Sequence, residues 1–182
     1  MSKVDFIVSD IMDLPLDRAA DCDLTFTDPP WEQGLVKMFE TLAQRDAGLP
    51  KPGNTIDAIL HRMFELAPKA PCVVEYSVKG HTRVLEAGHA GGHLDGRVCH
   101  ATQTNGKPYV FIIFNSGMPL PRNPKGWEMI DHVFEYHKPT KVFEPFAGHG
   151  QHTRRFVEHG ADVIASELSP HRAQKLMDYF NL

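Results

Sequence analysis

Apolar positions along this chain follow two alternating rhythms. Short runs at Asp5–Val8 (DFIV), Leu24–Thr27 (LTFT), Cys72–Ser77 (CVVEYS), Tyr109–Asn115 (YVFIIFN), Lys141–Glu144 (KVFE) and Asp162–Ser166 (DVIAS) have the length and composition of strands. The near-continuous apolar run Tyr109–Asn115 predicts a central strand covered on both faces. Between the runs the period lengthens. Ile56, Ile59, Leu60, Met63, Phe64 and Ala67 form a helical stripe behind Thr55 as N-cap. Ala173, Leu176, Met177 and Phe180 form another, with Ser169 as N-cap and Pro170 at the first helical position. Gln151–Glu158 predicts a shorter helix closed by Gly160, and Trp127–Tyr136 a further one. Repeated strand–helix units predict an α/β, doubly wound, mostly parallel sheet covered on both faces. Two stretches break the rhythm. Gln44–Asn54 is Gly/Pro-rich and reads as an exposed loop, and the Gly- and His-rich Lys79–Lys107 reads as an insertion on the working edge of the sheet.

Composition narrows the class. The 182 residues carry 19 Lys+Arg against 23 Asp+Glu, a formal charge of −4, with 42% hydrophobic residues. Domains typically run ~100–150 residues, so residues 1–182 read as one domain with a sizeable core. No apolar run approaches the ~20 residues of a membrane helix, and no basic patch followed by an apolar stretch marks the N-terminus as a secretion signal. Three widely spaced cysteines, Cys22, Cys72 and Cys99, suit reduced thiols better than a disulfide framework. The expected setting is soluble and cytoplasmic. Mild acidity excludes a charge-driven nucleic-acid coat but leaves room for an enzyme with a local basic face.

Two motifs carry chemistry. Asp28-Pro29-Pro30-Trp31 follows the strand Leu24–Thr27 directly. An exocyclic amine of a nucleobase is a poor nucleophile because its lone pair is delocalised into the ring. Two acceptors can fix both amine hydrogens and favour a pyramidal nitrogen. Asp28 supplies one, and the Pro29 carbonyl, held by stiff Pro-Pro geometry, supplies the other. Trp31 offers a flat face on which a base can stack. The less favoured alternative for the same four residues is a strand-end turn with a core tryptophan. The second motif, Phe143-Glu144-Pro145-Phe146-Ala147-Gly148-His149-Gly150, joins a strand to a helix, and its glycines let a ligand approach the backbone. About twenty residues on, Glu167 ends the next strand, where an acid accepts hydrogen bonds from both ribose hydroxyls. The turn lacks the full GxGxxG pattern and a phosphate-binding lysine, so a nucleoside without phosphates suits it better than NAD or ATP.

DPPW followed much later by FEPFAGHG and ASELS resembles the S-adenosylmethionine-dependent amino-methyltransferases. The catalytic motif precedes the cofactor motif, which is the permuted order of the beta-class DNA adenine methyltransferases. The resemblance runs from about Val4 to about Leu176 and implies a Rossmann-like methyltransferase fold in circularly permuted order. It implies S-adenosylmethionine as cofactor and adenine N6 in DNA as target, because Asp rather than Ser or Asn opens the motif. Carried over residue by residue, Phe146, Gly148 and Gly150 would line the methionine and ribose portions. Glu144, with Pro145 beside it, stands where the family has Asp and would reach the methionine amine through water. Glu167 would bind the ribose, Leu168 would pack on the cofactor adenine, and Asp10 with Ile11 would meet that adenine's edge. Asp28, Pro29, Pro30 and Trp31 would handle the target base, with Asp28 touching the cofactor as well. His149, Gln151 and His152 replace the family's small hydroxyl residues, and Asn123-Pro124-Lys125 only loosely echoes its lysine-proline signature. The implied reaction is a direct SN2 transfer without a covalent intermediate, on a base that is flipped out or single-stranded.

Sequence-specific relatives carry a recognition domain between the two motifs. Here that space holds only the Gln33–Asn54 loop and the Lys79–Lys107 insertion. Lys79, His81, Arg83, Arg97 and Lys107 are the candidate substrate contacts, of the kind that hold phosphates without reading sequence. Low or short sequence specificity is therefore expected, or reliance on a partner subunit or a second copy of the chain. RNA adenine methylation and a silent nucleic-acid-binding subunit are the alternatives. His81, His89, His93, Cys99 and His100 match no zinc-finger spacing, so no metal is expected.

Overall fold

A computed structural model describes residues 2–182. Strand β1 (Val4–Val8) leads through a single 3-10 turn to β2 (Leu24–Thr27), followed by helices α1 (Gln33–Ala47) and α2 (Ile56–Leu66). Then come β3 (Cys72–Ser77), α3 (His81–Ala90), β4 (Arg97–Thr102) and β5 (Pro108–Phe114). The chain ends with α4 (Gly126–His137), β6 (Lys141–Glu144), α5 (Gln151–Glu158), β7 (Asp162–Glu167) and α6 (Pro170–Phe180). The strands form one sheet in the order β1-β7-β6-β2-β3-β5-β4. β1, β7, β6, β2 and β3 pair in parallel, and β5 runs antiparallel to both of its neighbours. From β6 the chain crosses through α5 to β7 on one side. From β2 it crosses through α1 and α2 to β3 on the other. β6 and β2 are neighbours, with Leu24 opposite Val142 and Thr25 opposite Phe143. The strand order thus reverses between them, where an open α/β sheet has its ligand crevice.

Both faces of the sheet are buried. Val74, Tyr76, Val110, Ile112 and Phe114 pack on one side with α2 and α3 residues such as Leu60, Phe64 and Val84. Leu24, Phe26, Phe111, Ile113 and Val142 pack on the other with Met129, Val133 and Phe156 of α4 and α5. The predicted helix starts hold. Thr55 Oγ1 accepts from Ala58 N, at 3.2 Å, and Pro170 occupies the first turn of α6 after Ser169. No helix among the described residues is long and apolar enough to cross a membrane.

Three expectations are corrected. Tyr109–Asn115 is not central: β5 is the penultimate strand, and its unbroken apolarity reflects burial on both faces, not its position in the sheet. Lys79–Lys107 is no irregular insertion, since it contains α3 and the edge strand β4. Its glycines disguised it. A Cβ on Gly88 would lie 2.4 Å from the Phe114 ring, so glycine lets α3 sit tightly on β5. Gln33–Asn54, read as a loop, opens with the 15-residue α1. Its buried stripe is thin (Val36, Glu40, Ala43) and includes an acid, whose Oε1 accepts from Asn54 N at 2.9 Å.

Phe26, between Phe111 (6.2 Å) and Phe156 (5.6 Å) and fully buried, anchors the strand that ends in Asp28. Phe26→Ala is expected to cost about 3–5 kcal/mol of stability, measured by chemical denaturation.

Candidate active site

The C-terminal ends of five adjacent strands each deliver one acid. In spatial order these are Asp10 just beyond β1, Glu167 at the end of β7, Glu144 at the end of β6, Asp28 just beyond β2 and Glu75 in β3. A crevice of about 310 Å³, in the range of small-molecule sites, is lined by three of them, Asp10, Glu167 and Asp28. Asp10, Ile11, Phe146, Glu167 and Leu168 line one part of it, and Asp28, Pro29, Pro30 and Trp31 another. The 3-10 turn Ile11–Asp13, capped by Asp10 through Met12 N, holds the first group, and Asn54 Nδ2 donates to the other oxygen of Asp10 at 2.9 Å.

The turn after β6 is shaped by its glycines. Gly148 and Gly150 have φ of +57° and +77°, a region glycine enters without strain. Glu167 braces the turn: its two oxygens accept from Gly148 N at 2.8 Å and Ser169 N at 2.9 Å. A Cβ on Gly150 would meet Leu176 at 2.9 Å, so Gly150 serves the packing of α6 and does not border the crevice. Glu144 is set back too. It is buried, accepts from Thr153 Oγ1 at 2.5 Å, and lies outside the crevice lining.

Asp28 is exposed by area, yet it lies at the foot of a concave wall of protein. That desolvation raises its carboxyl to about 6, against the opposing hydrogen bond from Trp31 Nε1 (2.7 Å) and the nearby Arg172 charge. Trp31 lies nearly parallel to Tyr109, at 13° with ring centroids 6.5 Å apart. The indole is thus held at both ends, by a carboxylate and by an aromatic face. Burial holds Glu144 well above the usual carboxylate range and raises Glu167 and Asp10 as well. Glu75 is pushed up to about 8 by burial and by the Asp28 charge. His152 stands between Glu144 and Glu75, at 3.7 and 4.0 Å. Burial drives its ring down to about 4, so it is neutral and these contacts are not ion pairs at neutral pH.

The sequence did not single out Glu75 or Arg172. Glu75 had a signal, a lone acid inside an apolar strand. Arg172 had none. It reaches from α6 over the Phe39 ring of α1 (4.7 Å), beside Gly148, and its charge lowers both Asp28 and Glu167.

The expected substrate contacts divide. Lys79 and His81 follow the C-terminal end of β3, and Lys107 lies in the turn before β5, all on the crevice side of the sheet. Arg83 is paired with Asp57 at 3.0 Å. Arg97 is not brought to the site. It starts β4 at the opposite end of the sheet, and its guanidinium donates to the carbonyls of Ser116 and Met118.

No family model matches the chain, and no curated protein matches it. Solved structures do. M1.HpyAVI superposes with a TM-score of 0.69 at 12% identity, covering 98% of this chain and 99% of that one. The complex of M1.HpyAVI with SAM matches equally well, at 11% identity and a TM-score of 0.69 over 98% of this chain and 100% of that one. TTHA0409 from Thermus thermophilus, a proposed DNA modification methylase complexed with S-adenosyl-L-methionine, gives 0.61 at 16% identity, with 99% and 93% covered. The cytosine-N4-specific PvuII DNA methyltransferase gives 0.55 at 12% identity, with 99% and 92% covered. At these identities the similarity establishes the fold: the chain has the Rossmann-like architecture of those enzymes from end to end.

A carboxyl kept neutral by the fold binds its proton more tightly than in the unfolded chain. Stability therefore falls as pH rises from the unfolded value, near 4.5, towards about 8. Glu75→Gln removes that dependence. Its advantage in Tm over the unaltered protein should be larger at pH 8.5 than at pH 5, by differential scanning calorimetry.

Proposed function

We propose that this protein transfers a methyl group from S-adenosylmethionine to the exocyclic N6 amine of adenine in DNA. The observation that carries the reading is the position of Asp28-Pro29-Pro30-Trp31. It stands at the end of β2, at the strand-order reversal, and shares one crevice with Phe146, Glu167 and Leu168. The structural neighbours support it: M1.HpyAVI and TTHA0409 are each solved with S-adenosylmethionine, TTHA0409 is a proposed DNA modification methylase, and PvuII is a DNA methyltransferase. The PvuII enzyme is cytosine-N4-specific, so the choice of adenine rests on the Asp that opens the motif.

The residues present fit the cofactor. Asp10 and Glu167 are acceptors for an adenine amine and ribose hydroxyls. Ile11, Phe146 and Leu168 offer apolar surface between them. Gly148, like Gly150, lies outside the crevice lining, and a Cβ on it would meet the Arg172 guanidinium at 2.5 Å. When bound there, S-adenosylmethionine supplies an electrophilic methyl on a sulfonium. The chain's own part is to position. Asp28, largely ionised at neutral pH, accepts one amine hydrogen, and the Pro29 carbonyl accepts the other. Trp31 fixes the Asp28 carboxylate through its indole N–H. Asp28 need not be a strong base, because the amine proton becomes acidic once nitrogen carries the methyl. Orientation is the larger contribution.

In this reading the catalytic motif precedes the cofactor turn, the permuted order. Residues 1–182 form one methyltransferase domain, and Lys79, His81 and Lys107 lie where phosphates would pass. With so little chain for base readout, short or low sequence specificity follows, and a second copy or partner chain would extend the contact.

The test incubates the protein with S-adenosylmethionine and, separately, duplex DNA, single-stranded DNA and RNA, then analyses nucleoside digests by mass spectrometry. N6-methyldeoxyadenosine is expected, and Asp28→Ala should lower its rate at least 100-fold. N6-methyladenosine from RNA alone would move the substrate to RNA. N4-methylcytosine would overturn the choice of base, and no methylated nucleoside in any sample would overturn the reading.

A further inference from the structure

Among the described residues that line the crevice there are four acids, Asp10, Asp28, Glu40 and Glu167, and one cation, Arg172. Arg172 lies in the first turn of α6, which contains no acid. The start of a helix carries partial positive charge and favours acids, so this guanidinium stands against the local preference. No partner within the protein accounts for it. The half-buried side chain rests on the Phe39 ring of α1, at 4.7 Å. Its charge reaches Asp28 and Glu167 without a hydrogen bond to either. A residue that breaks a local rule without a structural gain points to a ligand.

The chemistry of that ligand follows from the charges. S-adenosylmethionine carries a sulfonium, an ammonium and a carboxylate. Acids in the lining suit the first two and repel the third. A guanidinium pairs with a carboxylate through two parallel N–H donors, a match that a lysine does not provide. Arg172 shares the lining with Phe146, which the cofactor reading gives to the methionine portion. Its guanidinium also borders the glycine turn, since a Cβ on Gly148 would meet Nη2 at 2.5 Å.

We propose that Arg172 binds the carboxylate of the methionine portion and makes the crevice select S-adenosylmethionine over analogues that lack this group. The proposal rests on the S-adenosylmethionine reading of the crevice. It makes Arg172 a specificity-determining residue for the cofactor, and Phe39 the surface that holds its guanidinium in place.

The charge balance gives the direction of the effect. Removing the carboxylate makes the ligand more cationic, and a lining of acids alone would favour that change. A preference for the carboxylate-bearing form therefore requires the cation.

The test measures the affinities of S-adenosylmethionine and decarboxylated S-adenosylmethionine by isothermal titration calorimetry. The two share adenosine, sulfonium and amine, so their ratio isolates the carboxylate. The unaltered protein should bind S-adenosylmethionine about tenfold more tightly. Arg172→Met, which keeps an apolar stem, should lose that preference or reverse it, with circular dichroism verifying its fold. Arg172→Lys, which restores the charge without the planar fork, should recover part of it. A purely structural role would change both affinities alike and leave the ratio as it was. Equal binding of the two ligands by the unaltered protein, a preference kept by Arg172→Met, or an Arg172→Lys ratio no better than that of Arg172→Met would each overturn the proposal alone. Failure of the unaltered protein to bind either ligand would overturn the cofactor reading together with it.

Discussion

Crowded acids govern this structure. Five neighbouring strand ends bring Asp10, Glu167, Glu144, Asp28 and Glu75 to one edge of the sheet, where burial disfavours charge. The fold answers each acid differently. Glu167 takes backbone N–H groups, Glu144 takes a threonine hydroxyl, and Asp28 takes an indole N–H. Glu75 has none of these, and burial and the Asp28 charge push it up. Among the described residues, Arg172 is the one cation whose charge reaches both Asp28 and Glu167. The result is a row of carboxyls all raised above their ordinary values, each held by a different set of neighbours.

Topology explains why the row is useful. Parallel strands end together, so their C-terminal loops share one edge, and the order reversal between β6 and β2 keeps helices from covering it. The glycine turn lies on one side of that reversal and Asp28 on the other. Groups separated by more than a hundred residues of chain thereby meet across one crevice.

Much of this was legible in the sequence, and the failures have physical causes. β2, β3 and β6 lie at the residues their apolar runs predicted, because parallel strands covered on both faces need continuous apolar side chains. β4 was hidden because an edge strand is half polar, and α3 because close packing on Phe114 selects glycine, a poor helix former. In the site, residues within a local motif were found because a turn makes them neighbours. Arg172 was missed because its partner Phe39 comes from a distant helix. Arg97 was misplaced because charge alone does not tell one end of a strand from the other.

The central claim is that the crevice at the strand reversal is a nucleoside site built around Glu167, fitted to S-adenosylmethionine. Isothermal titration calorimetry with S-adenosylmethionine tests it most directly, with ATP and NAD as competitors. The account predicts one saturable site, weakened at least tenfold by Glu167→Ala and not displaced by either competitor. Binding of ATP or NAD in place of S-adenosylmethionine, or no binding of any of the three, would contradict it.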